Sequence, residues 1–140
     1  MATYVITAGY VAIDGTDMSA YVRSASLELN ADNVEFTNMG SSGAREYKIG
    51  LKAGTLNVEF NQDFADTATL PDQKLWGIFN TGSNVTFEVR PTSASVGTGN
   101  PKYTGSVVPV NYSPLTGSVG DASTVSISWP TSGAVSRATS

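Results

Sequence analysis

Residues 124–129 read Thr-Val-Ser-Ile-Ser-Trp, and residues 55–60 read Thr-Leu-Asn-Val-Glu-Phe. In both, apolar side chains take every second position, with hydroxyl, amide or carboxylate groups between them. Successive side chains of a strand point to opposite faces, so a period of two is what a strand with one buried face requires. Val85-Thr86-Phe87-Glu88-Val89-Arg90 repeats the pattern. Residues 21–29 do so as well, with Tyr21, Ala25, Leu27 and Leu29 on one side and Ser24, Ser26 and Glu28 on the other. Four such segments decide a mainly β fold.

Weaker strand signals lie at residues 4–7, 10–13, 45–49 and 103–112, and the Asp14-Gly15 pair after the second is a hairpin turn signal. Pro109 falls inside the last of these. Proline cannot donate to a ladder, so that segment is expected to be an edge strand, bulged, or broken near Pro109. A single stretch, residues 69–82, has a helical period. It offers a cap at Thr69, Pro71 and Asp72 in the first turn, apolar Leu75, Ile78 and Phe79, and an Asn80 to Gly82 exit, which predicts one short helix over about 71–80.

Two kinds of segment have no regular period. Residues 30–44, Asn-Ala-Asp-Asn-Val-Glu-Phe-Thr-Asn-Met-Gly-Ser-Ser-Gly-Ala, join two strands with a connection far longer than the two to five residues of an ordinary hairpin. Residues 91–101 and an extended C-terminal tail at 130–140 are rich in Ser, Thr, Gly and Pro, and are expected to be mobile unless a partner fixes them.

The chain has 140 residues, 40% of them hydrophobic, enough for one core, so residues 1–140 are read as a single domain. There is no cysteine and no histidine. Disulfides, thiolate zinc sites, cysteine nucleophiles and imidazole acid/base chemistry are thereby excluded. Charged residues make up 14% and Ser plus Thr number 33, so the surface is polar but weakly charged. A net charge of −4, with eight Lys and Arg forming no run, argues against a nucleic-acid-binding surface, which needs clustered basic groups. No stretch is long and apolar enough to span a membrane, and no basic n-region precedes the first apolar residues. The chain is accordingly read as made and used without export.

Carboxylates are the remaining acid/base candidates. Asp63, Asp66 and Asp72 follow a strand and open the helix, and Asp14 and Asp17 flank a turn, but each is accounted for as a loop, turn or helix-start residue. The glycine-rich runs at 40–43 and 97–99 do not continue into a phosphate-binding motif. Asn84-Val85-Thr86 and Asn111-Tyr112-Ser113 match the glycosylation sequon by chance. No catalytic, metal or cofactor residue is expected. The tyrosines at 4, 10, 21, 103 and 112 lack the interleaved basic residues of a single-strand-binding face and read as core and interface residues. Val34, Phe36 and Met39 are more informative, because three sizeable apolar groups in a long polar loop either fold back on the core or contact another chain.

The order of these elements resembles that of the tail tube proteins (major tail proteins) of long-tailed bacteriophages. The resemblance spans essentially the whole chain. It rests on Asp-Met-Ser-Ala-Tyr-Val-Arg at 17–23, the 30–44 loop, the strand ending in Val58-Glu59-Phe60 and the helix Leu-Trp-Gly-Ile-Phe-Asn at 75–80. It continues through the strand at 85–89, Tyr-Thr-Gly-Ser-Val at 103–107, the strand at 123–129 and the closing Ser-Gly-Ala-Val-Ser-Arg at 132–137. The resemblance implies a two-sheet, barrel-like β-sandwich with one flanking helix, assembling as hexameric rings that stack into a hollow tube in the virion tail. The chain departs from some members of that family in being short, with no immunoglobulin-like domain expected after residue 140.

By the same resemblance, the long loop reaches adjacent rings, with Asp32, Val34, Phe36 and Met39 as its contact residues. The implied partners are further copies of the chain, a tape measure protein and terminator or baseplate proteins, with DNA passing through the lumen unbound. A lining that passes DNA should carry more Asp and Glu than Lys and Arg. A head-decoration or head–tail connector protein, or a monomeric ligand-binding sandwich, would share the composition.

Overall fold

The computed structural model describes residues 5, 9–65 and 71–140. The expected Thr69 cap, Asp66 and nearly all of the expected strand at 4–7 lie outside the described residues. The elements run β1 (Tyr10–Ile13), β2 (Thr16–Asp17), β3 (Val22–Glu35), β4 (Tyr47–Asn61), α1 (Pro71–Thr81), β5 (Val85–Arg90), β6 (Lys102–Val107) and β7 (Thr124–Ala138). The strands form one antiparallel sheet in the order β2-β1-β5-β6-β7-β4-β3. The fold is mainly β with one helix, as the alternation requires.

The two halves of this sheet are joined through β7 rather than separated. From Thr124 to Pro130 that strand pairs with β4, and from Thr131 to Ala138 it pairs with β6. Pro130 stands at the changeover, paired with Thr55 at the last position of the β4 ladder, and its carbonyl accepts the amide of Val108 at 2.9 Å. Just beyond, Gly133 takes a left-handed φ of 84° in the stretch where the β6–β7 register slips. Residues 130–138, expected as part of a tail, are therefore strand. Their turn-like composition reflects the bend rather than an absence of pairing.

Bending brings both halves onto one core. Leu56, Val58 and Phe60 of β4 and Val125, Ile127 and Trp129 of β7 meet Val11, Ile13, Phe87 and Val107 of the other half, with Leu75 and Ile78 of α1. Each such side chain contributes on the order of 1.5–3 kcal/mol on burial. Trp129 is fully buried, and its indole N–H donates to the Asn111 carbonyl at 2.9 Å. The segment carrying Asn111 follows β6, which ends at Val107, so the proline-bearing stretch is broken before Pro109. The Asn111 side chain then replaces a strand partner, donating to the Ser128 carbonyl at 3.1 Å and accepting its amide at 3.4 Å.

Helix α1 packs by Pro71, Leu75 and Ile78. Phe79, expected on the buried stripe, is partly exposed instead and lies 6.5 Å from the exposed Trp76 ring. The Asp14-Gly15 turn has positive φ at both residues, the requirement of a two-residue hairpin turn whose twist matches its strands. Residues 91–101 are pinned from within the chain. Asn100 accepts the Thr92 amide at 3.1 Å and donates to the Ala94 carbonyl at 2.9 Å, to which Arg90 also donates at 2.9 Å. Among the described residues, no helix is long and apolar enough to cross a membrane.

Candidate assembly site

The expected loop at 30–44 is mostly a ribbon. Strand β3 continues through Glu35 and β4 begins at Tyr47, with Asn33 opposite Ile49, Val34 opposite Lys48 and Glu35 opposite Tyr47. Asp32 and Val34 are thus strand residues, and only residues 36–46 are irregular. Asp and Asn are poor strand formers, which conceals the strand; the cross-strand partners supply what local propensity lacks. Beyond the last pairing with β7, at Thr55 and Pro130, residues 29–53 of the two strands pair, among the described residues, only with each other. Seven residues per strand make an arm reaching roughly 20–25 Å from the body, before its tip is counted.

No residue from 28 to 53 is buried. Yet seven of the fourteen exposed large apolar residues among the described ones sit here: Leu29, Val34, Phe36, Met39, Tyr47, Ile49 and Leu51. A two-stranded ribbon standing alone is marginal in water, and clustered exposed apolar groups mark a contact surface. Val34 and Phe36 share one face, where the Lys48 ammonium lies 5.1 Å from the centre of the Phe36 ring. Tyr47 and Ile49 take the other face, with Glu35 and Asn33. The ribbon changes register between Ala31 and Asn33, where β4 carries one extra residue. Gly50 sits there, and a Cβ on it would come within 2.7 Å of Val34 Cγ2 and 3.2 Å of the Asp32 Cβ.

The tip is built rather than loose. Asn38 caps a short 3-10 turn at Met39–Ser41, its carboxamide accepting the Gly40 amide at 2.8 Å while Ser41 Oγ accepts the Asn38 amide at 3.1 Å. Ser41 in turn donates to Glu46 at 2.7 Å, and Thr37 bridges the Glu35 carboxylate and the Glu46 amide. This network projects Met39 with its side chain wholly exposed. Of the four residues picked from sequence, Val34 and Phe36 come together, Asp32 lies beside Gly50 on the same side, and Met39 crowns the tip. Tyr47 and Ile49, on the opposite face of the ribbon, and Leu51 beside the register change are exposed as well and are not among those four. Their alternation with Lys48 and Lys52 is visible in the sequence, but alternation alone reads as a core strand.

Two further surfaces flank the arm. Strand β3, fourteen residues long, is an edge of the sheet formed by the described residues, and among them no strand pairs with its outer side; such an edge is a template for another chain. The solvent face of the β3–β4–β7 layer carries Ser24, Ser26 and Glu28, then Thr55, Asn57 and Glu59, then Ser126 and Ser128. Arg23, at the β3 irregularity, bonds Glu59 at 3.3 Å.

Asp14, Asp17 and Asp63 act in local structure. Asp14 pairs with Lys74 at 3.2 Å, Asp17 accepts the Ser19 amide at 2.9 Å, and Asp63 accepts the Ala65 amide at 2.9 Å. Among the described residues, no three acidic side chains converge as a metal site would need.

No protein-family model and no curated protein sequence matches the chain. Solved structures do. The chain is similar to one from the virion of a native gene transfer agent particle, with a TM-score of 0.67 and 20% identity, covering 85% of each chain. It is similar also to one from the tail of an empty gene transfer agent particle solved by helical refinement with C6 symmetry, with a TM-score of 0.61 and 21% identity over 83% of this chain and 81% of that one. Over more than four-fifths of its length, this chain therefore has the fold of subunits found in a gene transfer agent virion and in its six-fold tail.

Proposed function

We propose that the protein is the repeating structural subunit of a bacteriophage-type tail tube, located in the virion tail, assembling as hexameric rings that stack into a conduit for DNA. The observation that carries this reading is the β3–β4 arm. It is a preorganised ribbon with half of the exposed large apolar residues among the described ones, on a fold shared with a chain from a C6 tail. Such an arm makes sense when another copy covers it. Within a ring, the open β3 edge pairs with the neighbouring subunit and so ceases to be an aggregation hazard. The Ser, Thr, Asn and Glu face of the β3–β4–β7 layer turns to the lumen, where hydroxyls and carboxylates leave phosphates unbound. The tape measure protein and the terminator and baseplate proteins would meet the tube inside and at its ends. No catalytic step is assigned.

Negative-stain imaging of the purified protein tests the reading. Stacked rings with a central lumen are the expected result. A monomer, or trimers that label capsids as a head-decoration protein would, overturns it.

A further inference from the structure

The arm leaves the body at one residue of β4. The last rung that β4 shares with β7 is Thr55 opposite Pro130, and from Thr131 onward β7 is paired with β6, with Thr131 itself opposite Val107. The next amide of β4, at Gly54, therefore faces the side from which β7 has turned away. A side chain meets it there: Gly54 N–H donates to Thr131 Oγ1 at 3.0 Å. Thr131 thus belongs to both halves of the sheet, by its backbone to β6 and by its hydroxyl to the root of the arm. Space at that root is tight. A Cβ on Gly54 would lie 2.9 Å from the Glu28 carbonyl oxygen, 2.9 Å from Leu29 Cδ2 and 3.3 Å from Thr131 Oγ1.

We propose that Thr131 is the positioning residue of the arm, its hydroxyl fixing, through the Gly54 amide, the angle at which β3 and β4 leave the body. This rests on the reading of the arm as an assembly element and names what aims it. Thr131 is a firm post. Pro130 before it has a ring-locked φ and a carbonyl bonded to the Val108 amide, and Val107 opposite it is fully buried. On the arm's side, an open cleft of about 720 Å³ is lined by Leu29, Ala31 and Ala53 at the arm's base and by Gly133, Ala134 and Val135 of β7. That cleft leaves the arm room to swing toward β7. The hydrogen bond restrains the swing, because it weakens steeply once bent. Length makes the restraint matter: with a lever of roughly 20–25 Å, a rotation of about 10° at the root carries the tip, and Met39 with it, through roughly 4 Å.

Thr131→Val keeps the β-branched shape and the pairing with Val107 but removes the acceptor, and Thr131→Ser keeps the acceptor. The chain has no cysteine, so spin labels on Met39→Cys at the tip and Ser126→Cys in β7, both exposed positions, report the arm's direction in dilute, unassembled protein. The expected result is one narrow distance distribution in the labelled parent, a distribution widened or displaced by roughly 4 Å in Thr131→Val, and the parent distribution again in Thr131→Ser. The Gly54 amide should exchange about fivefold faster in Thr131→Val, as the loss of one ordinary hydrogen bond requires. A distribution unchanged by Thr131→Val, or Thr131→Ser behaving like Thr131→Val, overturns the inference whether or not tubes form. Failure of the parent chain to form rings overturns the stacking reading instead, and the distances still decide whether Thr131 aims the arm.

Discussion

The Tyr112 hydroxyl donates to the Asp72 carboxylate at 2.7 Å and accepts from the Gln62 carboxamide at 3.2 Å. This one phenol ties the first turn of α1, the end of β4 and the broken segment after β6 into a single pole. Burial first, and then the Asp72 carboxylate, pushes the Tyr112 hydroxyl up from 10.0 to about 12. Folding thus favours its neutral form. The stabilisation is fully present below pH 10 and is lost as pH rises from 10 towards 12. In wild type, urea midpoints between pH 8 and 12 should fall over that interval. Tyr112→Phe should be about 1–2 kcal/mol less stable at pH 8, with a shallower fall above pH 10. Parallel pH curves for the two proteins would contradict this.

Trp129 and Trp76 divide the fluorescence between buried and exposed environments. Trp129→Phe should leave a folded protein emitting at the longer wavelength of solvated indole. Trp129→Ala should cost about 3–5 kcal/mol, since it opens a cavity in the centre of the bent sheet and orphans the Asn111 carbonyl. A denaturation midpoint unchanged by the alanine would contradict the central placement.

A β carbon on Gly50 would lie 2.7 Å from Val34 Cγ2 and 3.2 Å from the Asp32 Cβ, so a branched side chain there forces both neighbours to shift. Gly50→Val should disorder the arm and spare the body, whose core contains no residue between 28 and 53. Amide exchange would show the split: protection should vanish at 30–52 and persist in β5 and β7. Loss of protection throughout the sheet would mean that arm and body fold as one unit.

Phe36→Ser combined with Met39→Ser should leave the melting temperature within a few degrees of wild type, because both side chains are exposed. Long tubes should not form. Electron microscopy showing tubes of unaltered length would remove these two residues from the contact between rings.

Ser24→Arg with Ser26→Arg puts two guanidinium groups on the face assigned to the lumen. DNA ejection should slow more at low salt than at high salt, as phosphate attraction is screened. A salt-independent effect, or none, would count against that assignment.

The alternation at 55–60, 85–90 and 124–129 made the buried faces of β4, β5 and β7 readable without coordinates, because a period of two admits one inward set. Asp14-Gly15 and Pro71 were equally legible: each satisfies a local backbone demand. Tertiary structure decided what depends on partners distant in the chain. Nothing local says that β7 exchanges β4 for β6 at Pro130, that Asn100 holds the 91–101 loop, or that Asp32 and Val34 are ribbon rather than loop. Those outcomes rest on hydrogen bonds made across the sheet. The same holds for the assembly surface. Tyr47, Ile49 and Leu51 alternate as regularly as Leu56, Val58 and Phe60, and they are exposed only because no second layer covers the arm beyond Gly54.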